Sequence, residues 1–335
     1  MTQGHGDDAF LYPGIRMNFS SNIYAHADLS ELEEYLCSHI HLISRYPEPE
    51  PHSLEAVIAR RHDIPAECVL ATNGATEAIY LTAQACSHLF HTYSVGSQPT
   101  FSEYADASEM YGMSRQDGGN LADSLLWLCN PNNPTGTALP PSALLNVCRK
   151  AALAVVDQSY EDYTLTPMLT AKEALQSERL ILIHSLTKTF AIPGLRIGYI
   201  TASPRLMGQL RRYVRPWSVN ALAIAAGKWL IAHDAKAIPD LTAYLRETAR
   251  LRHQLNLLPG IQADETDTNF MLAHISQTTA ATLKAWLAQT RHILIRDASN
   301  FRGLTPHHFR VATQSPDENQ QLVVSIRHFV ERFGR

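Results

Sequence analysis

Lys188 and Arg196 stand eight positions apart in "SLTKTFAIPGLRIGY" (185–199), after an apolar run and on either side of a Pro193-Gly194 turn. Burying an ammonium at the end of a strand is costly unless the charge is partnered or removed. A lysine so placed reads as an amine kept for reaction, and such an amine condenses with a carbonyl carbon. The nearby guanidinium suits an anion, a phosphate above all, and Ser185 adds a hydroxyl beside it.

Three further stretches add groups of the same kind. "NGATEAI" sets a glycine turn before a helical pattern, so the free N–H groups near Ala75 and Thr76 serve either a phosphate or a plain capped helix start. "CNPNNPTG" (129–136) is dense in turn formers and presents Asn132 and Asn133 where a strand ends. "VVDQSYEDY" leaves Asp157 behind an apolar run with Tyr160 three residues on; alone, such an aspartate reads as a helix cap. Together the groups match one ligand. Its phosphate takes the N–H donors, Ser185 and Arg196. A pyridinium nitrogen takes an ionised Asp157, and a phenolic oxygen on the same ring takes Asn133 and Tyr160. An aldehyde carbon takes Lys188. That ligand is pyridoxal 5′-phosphate, and covalent attachment removes the cost of burying the lysine.

Gathering these side chains requires a particular scaffold. "CVLATNG" (68–74), "LLWLCN" (125–130), "AALAVVD" (151–157), "LILIHSL" (180–186) and "IGYITA" (197–202) are apolar, mostly without strict alternation. Strands covered on both faces have this texture, which predicts an α/β unit with a mainly parallel sheet. "ATEAIYLTAQACSHLF" (75–90) predicts a helix. The polar residues fall at the C-terminal ends of the runs, the edge where open α/β sheets bind ligands. Past about residue 235 the pattern becomes a long charged helix (240–258), a strand (268–275), a helix (278–291), strands in "HILIRD" and "HFRVATQ", and a closing helix from about 317 to 333. This predicts a smaller α+β domain completed by the N-terminal segment. The division is an N-terminal segment 1–44, a large domain 45–234 and a small domain 235–335, with "RYPEPEP" (45–51) as a polyproline-like connector.

Composition excludes several classes. The chain has 335 residues, 45% of them hydrophobic, and a formal net charge of −4. That gives no bulk attraction to nucleic acid or to acidic membranes. Five scattered cysteines without CxxC pairing indicate reduced thiols rather than a disulfide framework. Sixteen histidines include close pairs, but no HExxH and no Cys/His set with zinc spacing, so no metal is expected. The N-terminus lacks the basic and apolar regions of a signal peptide, and the longest apolar run, interrupted by Lys228, is too short to span a bilayer. A cytoplasmic location follows as the expectation.

In order and spacing, "CNPNNPTG", "SLTKTFAIPGLRIGY" and "RYPEPEP" resemble the fold-type I pyridoxal-phosphate enzymes, the aspartate-aminotransferase superfamily. The resemblance implies that Tyr104 stacks on the cofactor ring. It also implies that Tyr46 reaches the cofactor phosphate of a neighbouring subunit, hence a homodimer. It covers nearly the whole chain, and "HGDD", "NFSSNIY", "PWSVNALA" and "ILIRDASNFRGL" followed by "FRVA" are most similar to the threonine-phosphate decarboxylase branch of cobalamin biosynthesis, related to histidinol-phosphate aminotransferases. By that likeness His5 and Asn22 contact substrate, and Arg296 and Arg310 share its phosphate and carboxylate. Three departures loosen the substrate assignment. Asp7 replaces a glycine, "NIYAHA" replaces an Asn-Ile-Asn-Pro start, and Gln314 stands where relatives often carry arginine.

The resemblance implies decarboxylation of L-threonine O-3-phosphate to an aminopropanol phosphate. An aminotransferase acting on histidinol phosphate or a similar amino acid phosphate would use the same pocket and break the Cα–H bond instead. A non-catalytic cofactor-binding regulator would need a basic DNA-binding extension, and the sequence has none.

Overall fold

The computed structural model describes residues 8–118 and 121–333. In chain order its strands are β1 Met17–Asn18, β2 Val69–Thr72, β3 Thr92–Val95, β4 Ser114–Arg115, β5 Leu125–Cys129, β6 Leu153–Asp157 and β7 Leu180–His184. There follow β8 Gly198–Ala202, β9 Ile261–Ala263, β10 Phe270–Ile275, β11 Ile293–Leu294, β12 Arg296–Asp297 and β13 His308–Ala312.

The large sheet has the order β2-β8-β7-β6-β5-β3-β4. It is parallel from β4 through β7, while β8 runs antiparallel to both its neighbours. The missing alternation has a direct cause. Trp127, Val155 and Ile183 point into one apolar cluster, and Leu126, Val156 and Leu182 into another on the opposite face. With helices over both faces, both sets of alternate residues must be apolar.

The structure corrects the sequence pattern in two places. Strands β3, β4 and β9 carry no pattern of their own, because two to four residues are too few for one to show. The run 180–186 reads as one strand ending at the lysine, whereas β7 stops at His184 and Lys188 stands in the helical turn Leu186–Thr189, with Ser185 at its N-cap. Leu186 is buried, so the apolar signal outlasts the strand geometry.

The second sheet, β12-β13-β10-β9, is antiparallel. Its core includes residues of the helices Leu241–Asn256, Ala280–Arg291 and Pro316–Phe333. The N-terminal segment joins this unit: β1 pairs with β11, and the Phe19 carbonyl accepts from the Ala312 N–H at 2.9 Å. An aromatic cluster links the two sheets, with Tyr160 and Tyr163 from the loop after β6, Tyr244 from the Leu241–Asn256 helix, and Phe270 from β10. Among the described residues no helix is long and apolar enough to cross a membrane.

Candidate active site

A cavity of about 570 Å³ opens at the C-terminal ends of β5, β6 and β7, facing the second sheet. Its two walls have different origins.

The first wall comes from the large sheet. Asp157, the last residue of β6, is 3% exposed. It accepts from the Tyr104 hydroxyl at 2.8 Å and from the Ser159 N–H and hydroxyl at 2.9 and 2.5 Å. Burial pushes its carboxyl above the ordinary range, while the Ser159 and Tyr104 hydrogen bonds oppose the shift. Among the described residues it has no ion-pair partner, so a cationic ring nitrogen would supply the missing compensation. Tyr104 lines the same cavity and stacks on Trp127, centroids 5.3 Å apart and planes 11° apart.

The helix Gly74–Cys86 begins at the cavity, with Ala75 and Thr76 in its lining. Gly74 has φ +78°, and a Cβ built there would stand 2.6 Å from Nη2 of Arg196. The guanidinium closes over a helix N-terminus kept bare of side chain, an arrangement suited to an anion. Ser185 completes that rim. A Cβ on Gly198 would lie 2.8 Å from the Ala75 nitrogen, so the start of β8 and the start of the helix pack backbone to backbone.

Lys188 is half-buried, its ammonium 5.8 Å from the centre of the Tyr160 ring. Two neighbours steady the turn that carries it. The Tyr163 hydroxyl donates to the Lys188 carbonyl at 3.0 Å, and the Thr189 hydroxyl donates to Asp162 at 2.6 Å. Burial pushes the Tyr160 phenol up to about 12.

The second wall comes from the small sheet and the N-terminal segment. Arg310, 4% exposed, donates to Oδ1 of Asn133 and, at 2.7 Å, to the Ser20 carbonyl. Its Nε is buried with no partner among the described residues. Arg296, 5% exposed, is the register partner of Arg310 across β12 and β13, and donates to Asn300 at 2.9 Å. Burial pulls both guanidiniums down, Arg310 to about 10, and the charge of Arg296 adds to the effect on Arg310. Two buried like charges on adjacent strands call for anions between them. Asn22 reaches the Tyr160 hydroxyl at 3.4 Å, and its own Oδ1 is buried without a partner among the described residues.

Of the residues singled out from the sequence, Ala75, Thr76, Tyr104, Asn133, Asp157, Tyr160, Ser185, Lys188, Arg196, Asn22, Arg296 and Arg310 all line this cavity. Tyr46 does not: it is 87% exposed, with its ring 5.5 Å from Trp217. His5 and Asp7 lie outside the described residues. Gln314 is buried and donates to the Asn18 carbonyl at 3.1 Å, away from the cavity lining. Sequence reasoning misses Ser159, Tyr163 and Asn300. The serine two positions after Asp157 is a legible turn signal. Asn300 becomes visible only once the β12–β13 ladder is known.

One cavity thus gathers the amine, the buried carboxylate and the anion-binding helix start that pyridoxal phosphate would require. The chain belongs to the class I and II aminotransferase family, whose model matches residues 15–326. It is 30% identical over 341 residues to the threonine-phosphate decarboxylase of Salmonella typhimurium, covering 95% of this chain and 92% of that one. Among solved structures it is similar to the L-threonine-O-3-phosphate decarboxylase of Porphyromonas gingivalis, with TM-score 0.89 and 33% identity over 94% of this chain and all of the other. It also matches histidinol-phosphate aminotransferase 2 of Pasteurella multocida, 24% identical over 85% of this chain and 82% of that one.

Proposed function

We propose that this protein is a pyridoxal-phosphate-dependent decarboxylase that converts L-threonine O-3-phosphate to (R)-1-aminopropan-2-yl phosphate and carbon dioxide, a step of cobalamin biosynthesis. The observation that carries the reading is the register pair of buried arginines, Arg296 and Arg310, opposite Lys188 in one cavity. A substrate with a phosphate at one end and a carboxylate at the other matches two such cations.

When bound, pyridoxal phosphate supplies an aldehyde carbon and a ring that takes up the electron pair of the broken bond. Lys188 is the amine that would tether it. Asp157, buried and without a cation partner among the described residues, would keep a proton on the ring nitrogen. Ser185, Arg196 and the N–H groups at Ala75 and Thr76 would hold the phosphate, and Asn133 and Tyr160 the phenolic oxygen. Lys188 Nζ, in the same cavity as the two arginines, would also be placed to hold a proton near the substrate Cα. Arg310 and Arg296 would grip the substrate's anionic ends and so set which of its bonds is presented for cleavage. Each tenfold preference among bonds takes about 1.4 kcal/mol, and one charge-assisted hydrogen bond supplies roughly 1.5–3 kcal/mol.

The aminotransferase match keeps a second reading in play, in which the Cα–H bond is broken by way of Lys188. The deciding assay supplies L-threonine O-3-phosphate with and without 2-oxoglutarate. Carbon dioxide released independently of the oxo acid supports decarboxylation; glutamate without gas supports transamination. The exposed Tyr46–Trp217 pair supports a homodimer in which Tyr46 serves the neighbour's cofactor phosphate. A cytoplasmic location fits a biosynthetic enzyme with free thiols.

A further inference from the structure

The Tyr163 hydroxyl joins two segments whose relative position sets the geometry of the site. It accepts a hydrogen bond from the Tyr24 N–H at 3.1 Å and donates one to the Lys188 carbonyl at 3.0 Å. Tyr24 closes the segment that starts at β1 and carries Ser20 and Asn22. Ser20 is held by Arg310, and Asn22 touches Tyr160 at a loose 3.4 Å. The lysine turn, for its part, is tied back to the large sheet by the Thr187 N–H on the Ile197 carbonyl at 3.1 Å. One phenol thus spans from the backbone of the substrate wall to the backbone of the reactive residue. Backbone groups cannot swing away by changing rotamer, so this link constrains distance more firmly than the side-chain approach of Asn22 to Tyr160.

We propose that Tyr163 is a positioning residue whose hydroxyl registers the Ser20–Tyr24 segment against Lys188, so that a substrate held by the arginine wall meets the reactive amine at a fixed separation. The role acts on turnover rather than on affinity, because Arg296 and Arg310, paired across β12 and β13, remain in place without it. The proposal rests on the decarboxylase reading only for the substrate used to assay it.

The test compares Tyr163→Phe with Tyr244→Phe. Tyr163→Phe keeps its ring in the aromatic cluster. Tyr244→Phe removes another buried hydroxyl of that cluster, one that donates to the Thr313 carbonyl at 2.5 Å and accepts from Asn269 at 3.4 Å, while keeping the ring that packs on Tyr24 with centroids 5.0 Å apart. For Tyr163→Phe, carbon dioxide release per bound cofactor falls about tenfold or more, since a misplacement of about 1 Å can cost roughly a hundredfold. KM stays within about twofold, and the Tyr24 amide exchanges with deuterium about tenfold faster, the effect of removing one hydrogen bond. Tyr244→Phe leaves turnover unchanged. Unchanged Tyr24 protection, unchanged turnover in Tyr163→Phe, or an equal loss in Tyr244→Phe overturns the proposal. If the wild type releases no gas from L-threonine O-3-phosphate, the functional reading fails by itself. Amide exchange and the rate at which borohydride fixes the cofactor on Lys188 then decide the role of Tyr163: faster exchange with slower fixation supports it, and unchanged values overturn it.

Discussion

The two walls of the cavity solve the problem of holding charge in opposite ways. On the large-sheet side each polar group sits where a strand ends or a helix begins, and local backbone supplies much of its compensation. Asp157 takes two of its hydrogen bonds from Ser159, two residues away, and the helix start at Gly74 offers its own N–H groups. On the small-sheet side two guanidiniums sit in mid-sheet register, and burial lowers both. The first wall takes its hydrogen bonds from close in sequence, still calls for a cation at Asp157, and is suited to a resident ligand. The second sets two buried guanidiniums side by side and suits an anionic ligand that arrives and leaves.

That contrast can be broken by experiment. The largest effect belongs to the first wall: Lys188→Ala lowers carbon dioxide release by roughly 10²–10⁴-fold. Borohydride then no longer fixes the cofactor at position 188, as peptide mapping would read. Asp157→Asn comes next, with turnover reduced roughly a hundredfold or more because charge on the ring is no longer stabilised. If it kept turnover within about twofold, the role of the buried carboxylate would be wrong.

Arg310→Lys and Arg296→Lys probe the second wall. Each raises the KM for L-threonine O-3-phosphate by about 10–100-fold, the value of a charge-assisted hydrogen bond that an ammonium cannot make in place of the planar fork. Cofactor affinity, followed by fluorescence titration, stays unchanged in Arg296→Lys, whereas Arg310→Lys also disturbs Asn133. A drop in cofactor affinity in Arg296→Lys would mean that the two walls are not separable.

The smallest effect lies behind the first wall and reads as stability. His62 Nε2 is 2.7 Å from the Tyr199 hydroxyl, and burial, with the neighbouring His184, pulls the His62 imidazole down to about 4. A histidine held below its unfolded value near 6.5 favours folding fully above that value. Stability is therefore lost as pH falls from about 6.5 through 4, by at most about 3 kcal/mol. Urea midpoints at stepped pH should decline over that window in the wild type and flatten in His62→Gln.

The same contrast explains what is legible in the sequence. Residues such as Asp157, Ala75 and Ser185 announce themselves because strand ends and helix starts leave marks within a few positions of sequence: an apolar run, then a turn former, then a polar group. The α/β architecture is legible for the same reason. Arg296 and Arg310 carry no such mark. Their meeting depends on a pairing between two short strands with a loop between them, and family likeness rather than local pattern points to them. Tyr163 is invisible because its role is a bond to two backbones, one of them at Tyr24, and nothing in spacing encodes a meeting across 139 positions. The apolar run that continues past β7 towards Lys188 shows the reverse error, in which burial persists after the geometry has changed.

The register pair of arginines has a consequence beyond recognition. Each anion bridging β12 and β13 relieves repulsion inside the sheet that carries it, so occupancy and the integrity of that sheet are linked by mass action. Inorganic phosphate alone, though no substrate, should therefore raise the melting temperature of the protein and slow amide exchange along β13, making the small sheet a gauge of how full the pocket is.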